Sequence, residues 1–136
     1  MAINLQPTNK RFDPETHFAI AMRPPPAYTG YVRRRYLDIP YARLSRSQML
    51  DIYLPDEGTG PFPVILSLHG GAFMGCDKAD MQVLPMLDGL TRGYAVVAVN
   101  YRLSWEATFP ALVQDAKAAL RWVRANAGWY DLDPAR

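Results

Sequence analysis

The residues with the most chemical potential are Leu68-His69-Gly70-Gly71-Ala72-Phe73-Met74-Gly75, at the end of the apolar run Pro63–Leu68. Paired glycines after a buried strand let the backbone turn tightly and approach a ligand closely. Their N–H groups lack ladder partners and can face a developing negative charge. In acyl transfer such a feature is an oxyanion hole, where losing one donor typically costs ~3–4 kcal/mol of transition-state stabilisation. A tight corner without chemistry explains the glycine pair equally well. Spacing disposes of the nucleotide readings. A phosphate loop needs G-x-x-x-x-G-K-[ST], but Gly75 is followed by Cys76 and Asp77. A dinucleotide fingerprint needs G-x-G-x-x-G, which Gly70 to Gly75 do not spell.

Other reactive side chains each have a simpler reading. His69 beside the glycines suggests a general base. Cys76 suggests a thiol nucleophile, with Lys78 as its one activating charge nearby in sequence, but a small half-buried filler explains it as well. Asp77 and Asp80 lack a third metal ligand at useful spacing, so they read as anions at a helix start, and no metal site is expected. Trp105 and Glu106 follow the fourth strand on the edge where α/β proteins bind ligands, as a pocket wall or an ordinary loop. Asp115 reads as part of a helix's polar face, and His17 as a surface residue.

The elements that must position these residues follow from pattern. Residues 1–30 read as an arm, with a short helix near Glu15–Met22 and a stiff polyproline end at Pro24-Pro25-Pro26. Tyr31–Ile39 and Met49–Leu54 read as an antiparallel strand pair, with Arg33-Arg34-Arg35 on a solvent face. Pro63–Leu68 and Tyr94–Asn100 are nearly continuous apolar runs, as in parallel strands buried on both faces. Between them a short helix is expected over Leu84–Thr91, with Pro85 in its first turn and Gly93 as the left-handed residue after it. The strongest helix spans Pro110–Ala127, capped by Thr108, ended by Gly128, and apolar at Leu112, Val113, Ala116, Ala119, Leu120 and Val123. The fold class is therefore α/β: an antiparallel pair, then strand–helix–strand–helix of a mostly parallel sheet. A further strand is expected after the last helix, where Trp129 to Arg136 form a polar loop.

At 136 residues the chain holds one domain at most. Its 15 basic and 13 acidic residues are too balanced to point to nucleic acid or a membrane surface. One cysteine excludes an internal disulfide, and no apolar run reaches the ~18–20 residues of a membrane span. Residues 1–18 lack the apolar core of a signal peptide, so a cytoplasmic location is expected.

His69-Gly70-Gly71-Ala72-Phe73 after an apolar strand resembles the oxyanion loop of α/β-hydrolase esterases, of the hormone-sensitive-lipase-like and bacterial feruloyl-esterase-like groups. Flanking pieces agree in order: Leu50-Asp51-Ile52-Tyr53-Leu54-Pro55, Asn100-Tyr101-Arg102-Leu103-Ser104, Phe109-Pro110-Ala111, Asp115-Ala116, Ala119-Leu120-Arg121-Trp122-Val123-Arg124 and Asp131-Leu132-Asp133-Pro134-Ala135-Arg136. The resemblance covers residues 31–136 and implies the N-terminal part of a carboxylic-ester hydrolase acting by serine acyl transfer without metal or cofactor. It implies that Gly71 and Ala72 donate N–H groups to the oxyanion, with Gly70 permitting the turn. It places Phe73 on the acyl or alcohol pocket and has His69 hold the loop on the substrate side. Relatives often carry a third glycine at the position of Ala72. The G-x-S-x-G elbow, the acid and the catalytic histidine are absent from the 136 residues, so the chain alone is expected to be inactive. Its expected partners are an ester substrate and either the missing C-terminal half or a second copy paired along the sheet edge Val64–Leu68. The latter pairing, without catalysis, is the alternative function: a binding or self-association module.

Overall fold

The computed structural model describes residues 24–136, so the helix expected near Glu15–Met22 lies outside the described residues. Four strands, β1 (Arg35–Pro40), β2 (Met49–Tyr53), β3 (Val64–Leu68) and β4 (Ala95–Val99), form one sheet in the order β1-β2-β4-β3. The β1–β2 and β2–β4 pairs are antiparallel, and β3 runs parallel to β4. Helix α1 (Leu84–Leu87) connects β3 to β4, and the long helix α2 (Ala111–Asn126) follows β4.

Apolar patterning explains both layers. Leu50, Ile52, Leu54, Ala95, Val97 and Val99 pack with Ala119, Val123 and Ala127 of the α2 segment on one face. On the other, Tyr53, Val96 and Ala98 meet Val32, Val83 and Leu87. Fully burying one such aliphatic side chain stabilises the fold by ~1.5–3 kcal/mol. β4 is buried along its whole length, as its composition requires. β3 is only half-buried and Leu68 is 46 % exposed, because β3 is an edge strand rather than an interior one.

Several expected boundaries shift. β1 begins at Arg35, since Tyr31 to Arg34 turn and bend so that Val32 enters the core. Arg34 is therefore a tether and not part of a solvent-facing strand. Its guanidinium donates to the Pro55 and Gly58 carbonyls and lies over the Phe62 ring. Asp38 has φ +55 at an irregularity in the β1–β2 register. The helical stretch after β3 starts earlier than expected, as a 3₁₀ turn over Met81–Val83 capped by Asp80. It continues through α1 into a second 3₁₀ turn, Asp88–Arg92, which Gly93 closes at φ +80 as its composition predicts.

Thr108 does not cap α2 through its side chain; its carbonyl accepts the Ala111 N–H instead. The buried stripe of α2 is Ala111, Asp115, Ala119 and Val123, a strict i, i+4 row. Val113 and Leu120, expected on the apolar face, are exposed. The end of the arm also joins the fold. Ala27 N–H donates to Ala79 O, and Met81 N–H to Pro25 O.

Candidate active site

The loop after β3 leaves the sheet at His69 and enters a run of left-handed backbone: Gly71 at φ +115, Ala72 at +51, Phe73 at +62 and Cys76 at +70. Left-handed non-glycine residues are strained and cluster at functional sites. The Gly71 carbonyl faces inward and accepts the Met74 and Gly75 N–H groups at 2.9 and 3.2 Å. Among the described residues, the N–H groups of Gly71 and Ala72 have no hydrogen-bond partner. Phe73 is exposed at the loop's outer side, edge-on to Tyr101.

The segment after β4 holds this loop in place. Tyr101 Oη donates to His69 O at 2.7 Å, and its ring stacks on the His69 imidazole at 4.6 Å between centroids. His69 Nδ1 donates to Gly70 O at 2.8 Å, which fixes the ring beneath the loop. Ser104 donates both its N–H and its hydroxyl to Phe73 O, at 2.8 and 3.0 Å. From the other side, Gln82 Oε1 accepts the Gly70 N–H at 2.8 Å. Tyr101 and Ser104 were legible only as part of a motif following a buried strand; their contact with the glycine loop appears in three dimensions alone. Gln82 carried no sequence signal.

Beyond the loop lies an ion cluster centred on buried Lys78 and Asp51. Lys78, 6 % exposed, places Nζ 2.7 Å from Asp38 and 2.8 Å from Asp51, and its N–H donates to Asn100 Oδ1. Burial pulls the ammonium down, but the two carboxylates outweigh it and hold Lys78 above its ordinary lysine value. Asn100 Nδ2 in turn donates to Asp77 Oδ2. Asp77 and Asp80 serve this scaffold and the helix start, as their position suggested. Among the described residues, no group of three or more His, Cys, Asp or Glu is arranged to hold a metal.

The remaining candidates resolve into scaffold. Asp115 does not belong to the solvated face of α2. It is 1 % exposed and accepts from the Arg102 backbone N–H, Nε and an Nη, and from Gln48 Nε2. A helix position reads as polar from residue type, whereas its burial depends on Arg102 arriving from the loop after β4. Glu106 is likewise a strut, since its carboxylate accepts from the Ser45 and Ser47 hydroxyls. Burial pushes the Cys76 thiol up, the opposite of an activated nucleophile.

The loop's crowding sets the first expected result. A Cβ on Gly71 would lie 2.4 Å from Gly75 O and 2.9 Å from Cys76 Sγ. Gly71→Ala must therefore reshape the loop at a cost of ~1–3 kcal/mol. The amide resonances of residues 71–76 should shift while near-ultraviolet dichroism of the core persists. Gly128→Ala, which meets nothing within 4 Å, is the control and should change stability by less than ~0.5 kcal/mol.

A second expected result concerns acid. Burial raises the Asp115 carboxyl, but hydrogen bonds from Arg102 and Gln48 outweigh it and hold it below its ordinary value. The stability it contributes is fully present above the unfolded carboxylate value near ~4, and is lost as pH falls through the depressed folded value. Urea midpoints should fall between about pH 6 and pH 2.5, and Asp115→Asn should reduce that dependence.

Comparison with known proteins matches this architecture. The chain is 37 % identical over 108 residues to Esterase LipQ of Mycobacterium tuberculosis, covering 74 % of this chain and 25 % of LipQ. Among solved structures, a bifunctional GH43-CE protein of Bacteroides eggerthii is 41 % identical with a TM-score of 0.68, covering 75 % of this chain and 13 % of that one. A truncated form of a carbohydrate esterase from gut microbiota is 33 % identical with a TM-score of 0.63, covering 82 % and 40 % respectively. The chain thus spans about a quarter of the length of curated relatives such as LipQ. The sheet is that of the N-terminal portion of an α/β-hydrolase fold. Residues 50–136 match the BD-FAE family model, and the chain belongs to that family of α/β-hydrolase esterases.

Proposed function

We propose that Gly70–Phe73 is the oxyanion-binding element of a serine-dependent carboxylic-ester hydrolase. The observation that carries this reading is the pair of N–H groups, Gly71 and Ala72, without partners among the described residues, on a strained loop directly after β3. A serine oxygen adds to the ester carbonyl, and the carbonyl electrons move to the oxygen those two N–H groups receive. Collapse expels the alcohol, and water repeats the addition to release the acid. The left-handed backbone that makes the turn falls at Gly71 rather than at Gly70, while Phe73 lines the pocket and His69 holds the loop from beneath. The reading requires no metal or cofactor. The serine, acid and base histidine come from outside residues 1–136, where no G-x-S-x-G occurs, and the 136 residues alone do not turn over ester. The neighbouring carbohydrate esterase makes esterified sugars the substrate class to assay once hydrolysis of a model ester is established.

The test starts with the coding DNA downstream of the Arg136 codon, in all three frames. A strand followed by G-x-S-x-G is expected, and the joined polypeptide should hydrolyse p-nitrophenyl acetate until its elbow serine becomes alanine. Unrelated downstream sequence, or a joined polypeptide without hydrolysis, would overturn the reading.

One observation favours the second reading, self-association. The segment Asp131–Arg136 pairs with Phe62 and Val64, but beyond Val64 the outer edge of β3 has no strand beside it among the described residues, and Leu68 is exposed. Open apolar edges recruit further strands. A dimer seen by light scattering and lost in Leu68→Lys would support this module; a monomer at all concentrations would remove it.

A further inference from the structure

We propose that Gln82 is the positioning residue of the oxyanion loop: its side-chain amide takes up the Gly70 N–H and so leaves Gly71 and Ala72 as the donors. The inference rests on the oxyanion reading above. Gln82 Oε1 lies 2.8 Å from the Gly70 nitrogen, and Gln82 Nε2 donates to Asp80 Oδ2 at 3.2 Å. Asp80 is buried and fixed, accepting the Gln82 N–H at 2.8 Å and the Asp77 N–H at 3.0 Å. An ionised carboxylate only accepts, so Asp80 draws the amide NH₂ toward itself and turns the amide oxygen toward Gly70.

This arrangement sorts three consecutive backbone donors. Gly70 is satisfied by Gln82, while Gly71 and Ala72 stay available. The fit is close, since a Cβ on Gly70 would lie 2.8 Å from Gln82 Oε1. The order also reaches outward, because the segment that fixes Asp80 is itself bound by the arm: the Met81 N–H donates to Pro25 O, and Pro26 bridges to Asp80. Gln82 therefore links the arm and the helix start to the donor geometry of the loop without touching the reacting atoms.

The charged and titratable groups facing Gln82 are Asp80, the Cys76 thiol, and Lys78 and His69, which line the same cavity beneath the loop. The Gln82→Glu variant uses this setting. When protonated, the introduced carboxyl can donate its O–H to Asp80 and accept the Gly70 N–H, reproducing the amide. When ionised, it faces the Asp80 carboxylate, and like-charge repulsion turns the introduced side chain away from both Asp80 and the Gly70 N–H.

The experiment follows amide resonances of the isotopically labelled 136-residue chain with acetate as the oxyanion probe. In the wild type, Gly71 and Ala72 should move with acetate while Gly70 stays put. In Gln82→Met, Gly70 should join the response and exchange with solvent up to about tenfold faster, the fold-change expected for one lost hydrogen bond. Gln82→Glu should match the wild type at pH values where the pair keeps one proton, and the methionine variant at pH values where both carboxyls are ionised. The wild type at the same pH values controls for the four neighbouring groups, and a purely structural role would give no recovery on protonation. A Gly70 response to acetate in the wild type, or unchanged Gly70 exchange in Gln82→Met, would overturn the role of Gln82. No response at Gly71 and Ala72 would instead overturn the oxyanion reading, while Gly70 exchange would still report on Gln82.

Discussion

Replacing Asp115 by alanine is expected to lower the stability of the chain by ~3–5 kcal/mol, the usual cost of breaking a buried ion pair by removing one partner. Arg102 would keep its charge beside the core with three donors unmatched, and the buried Gln48 Nε2 would lose its acceptor. Small domains are stable by only ~5–15 kcal/mol, so this loss would leave a large unfolded fraction at low urea. Asp115→Asn should cost less, because it keeps an acceptor for the Arg102 backbone N–H. Urea titration followed by tryptophan fluorescence measures both. If the alanine variant shifts stability by less than about 1 kcal/mol, the pair is incidental to the fold.

Lys78→Met should be nearly as damaging, at ~3–5 kcal/mol. It would leave Asp51, 2 % exposed, with its charge against Asp38 and no cation. Most of the effect belongs to Asp51, because the Asp38 side chain is largely in water and exposed pairs contribute ~0–1 kcal/mol. The double variant Lys78→Met/Asp51→Asn isolates the buried pair. It should recover stability relative to Lys78→Met, with a coupling of ~0.5–3 kcal/mol for groups in contact. Simple additivity of the two single losses would show that Lys78 acts through packing of its stem.

These two ion clusters mark where the sequence ceases to be legible. Strand identity survives reading because Val64–Leu68 and Ala95–Val99 announce burial by composition. Gly93 announces a helix end by backbone freedom alone. Asp51, Lys78 and Asp115 carry no such mark. A charged side chain is buried only when a partner arrives from elsewhere, and Lys78 lies 27 positions from Asp51 in the chain. The β1 boundary failed for a related reason: Tyr31 to Arg34 have strand-like composition, but Arg34 is drawn off by carbonyls at Pro55 and Gly58. The glycine loop was found by residue type. Its supports at Tyr101, Ser104 and Gln82 are hydrogen bonds to main-chain atoms, which leave no pattern in sequence.

The strand order has a consequence for how the chain is made. β2 lies between β1 and β4, so one of its two edges waits for a strand that ends at Val99. Ribosomes add roughly 5–20 residues per second, so the interval between completing Tyr53 and completing Val99 lasts about 2–9 s. During it the β1–β2 hairpin stands alone, and isolated hairpins are marginal in water. Leu50, Ile52 and Leu54, later enclosed by α2, are then open to solvent on the nascent chain. Chaperones that bind short apolar stretches have their opportunity in that interval, and slower translation between codons 54 and 99 would lengthen it.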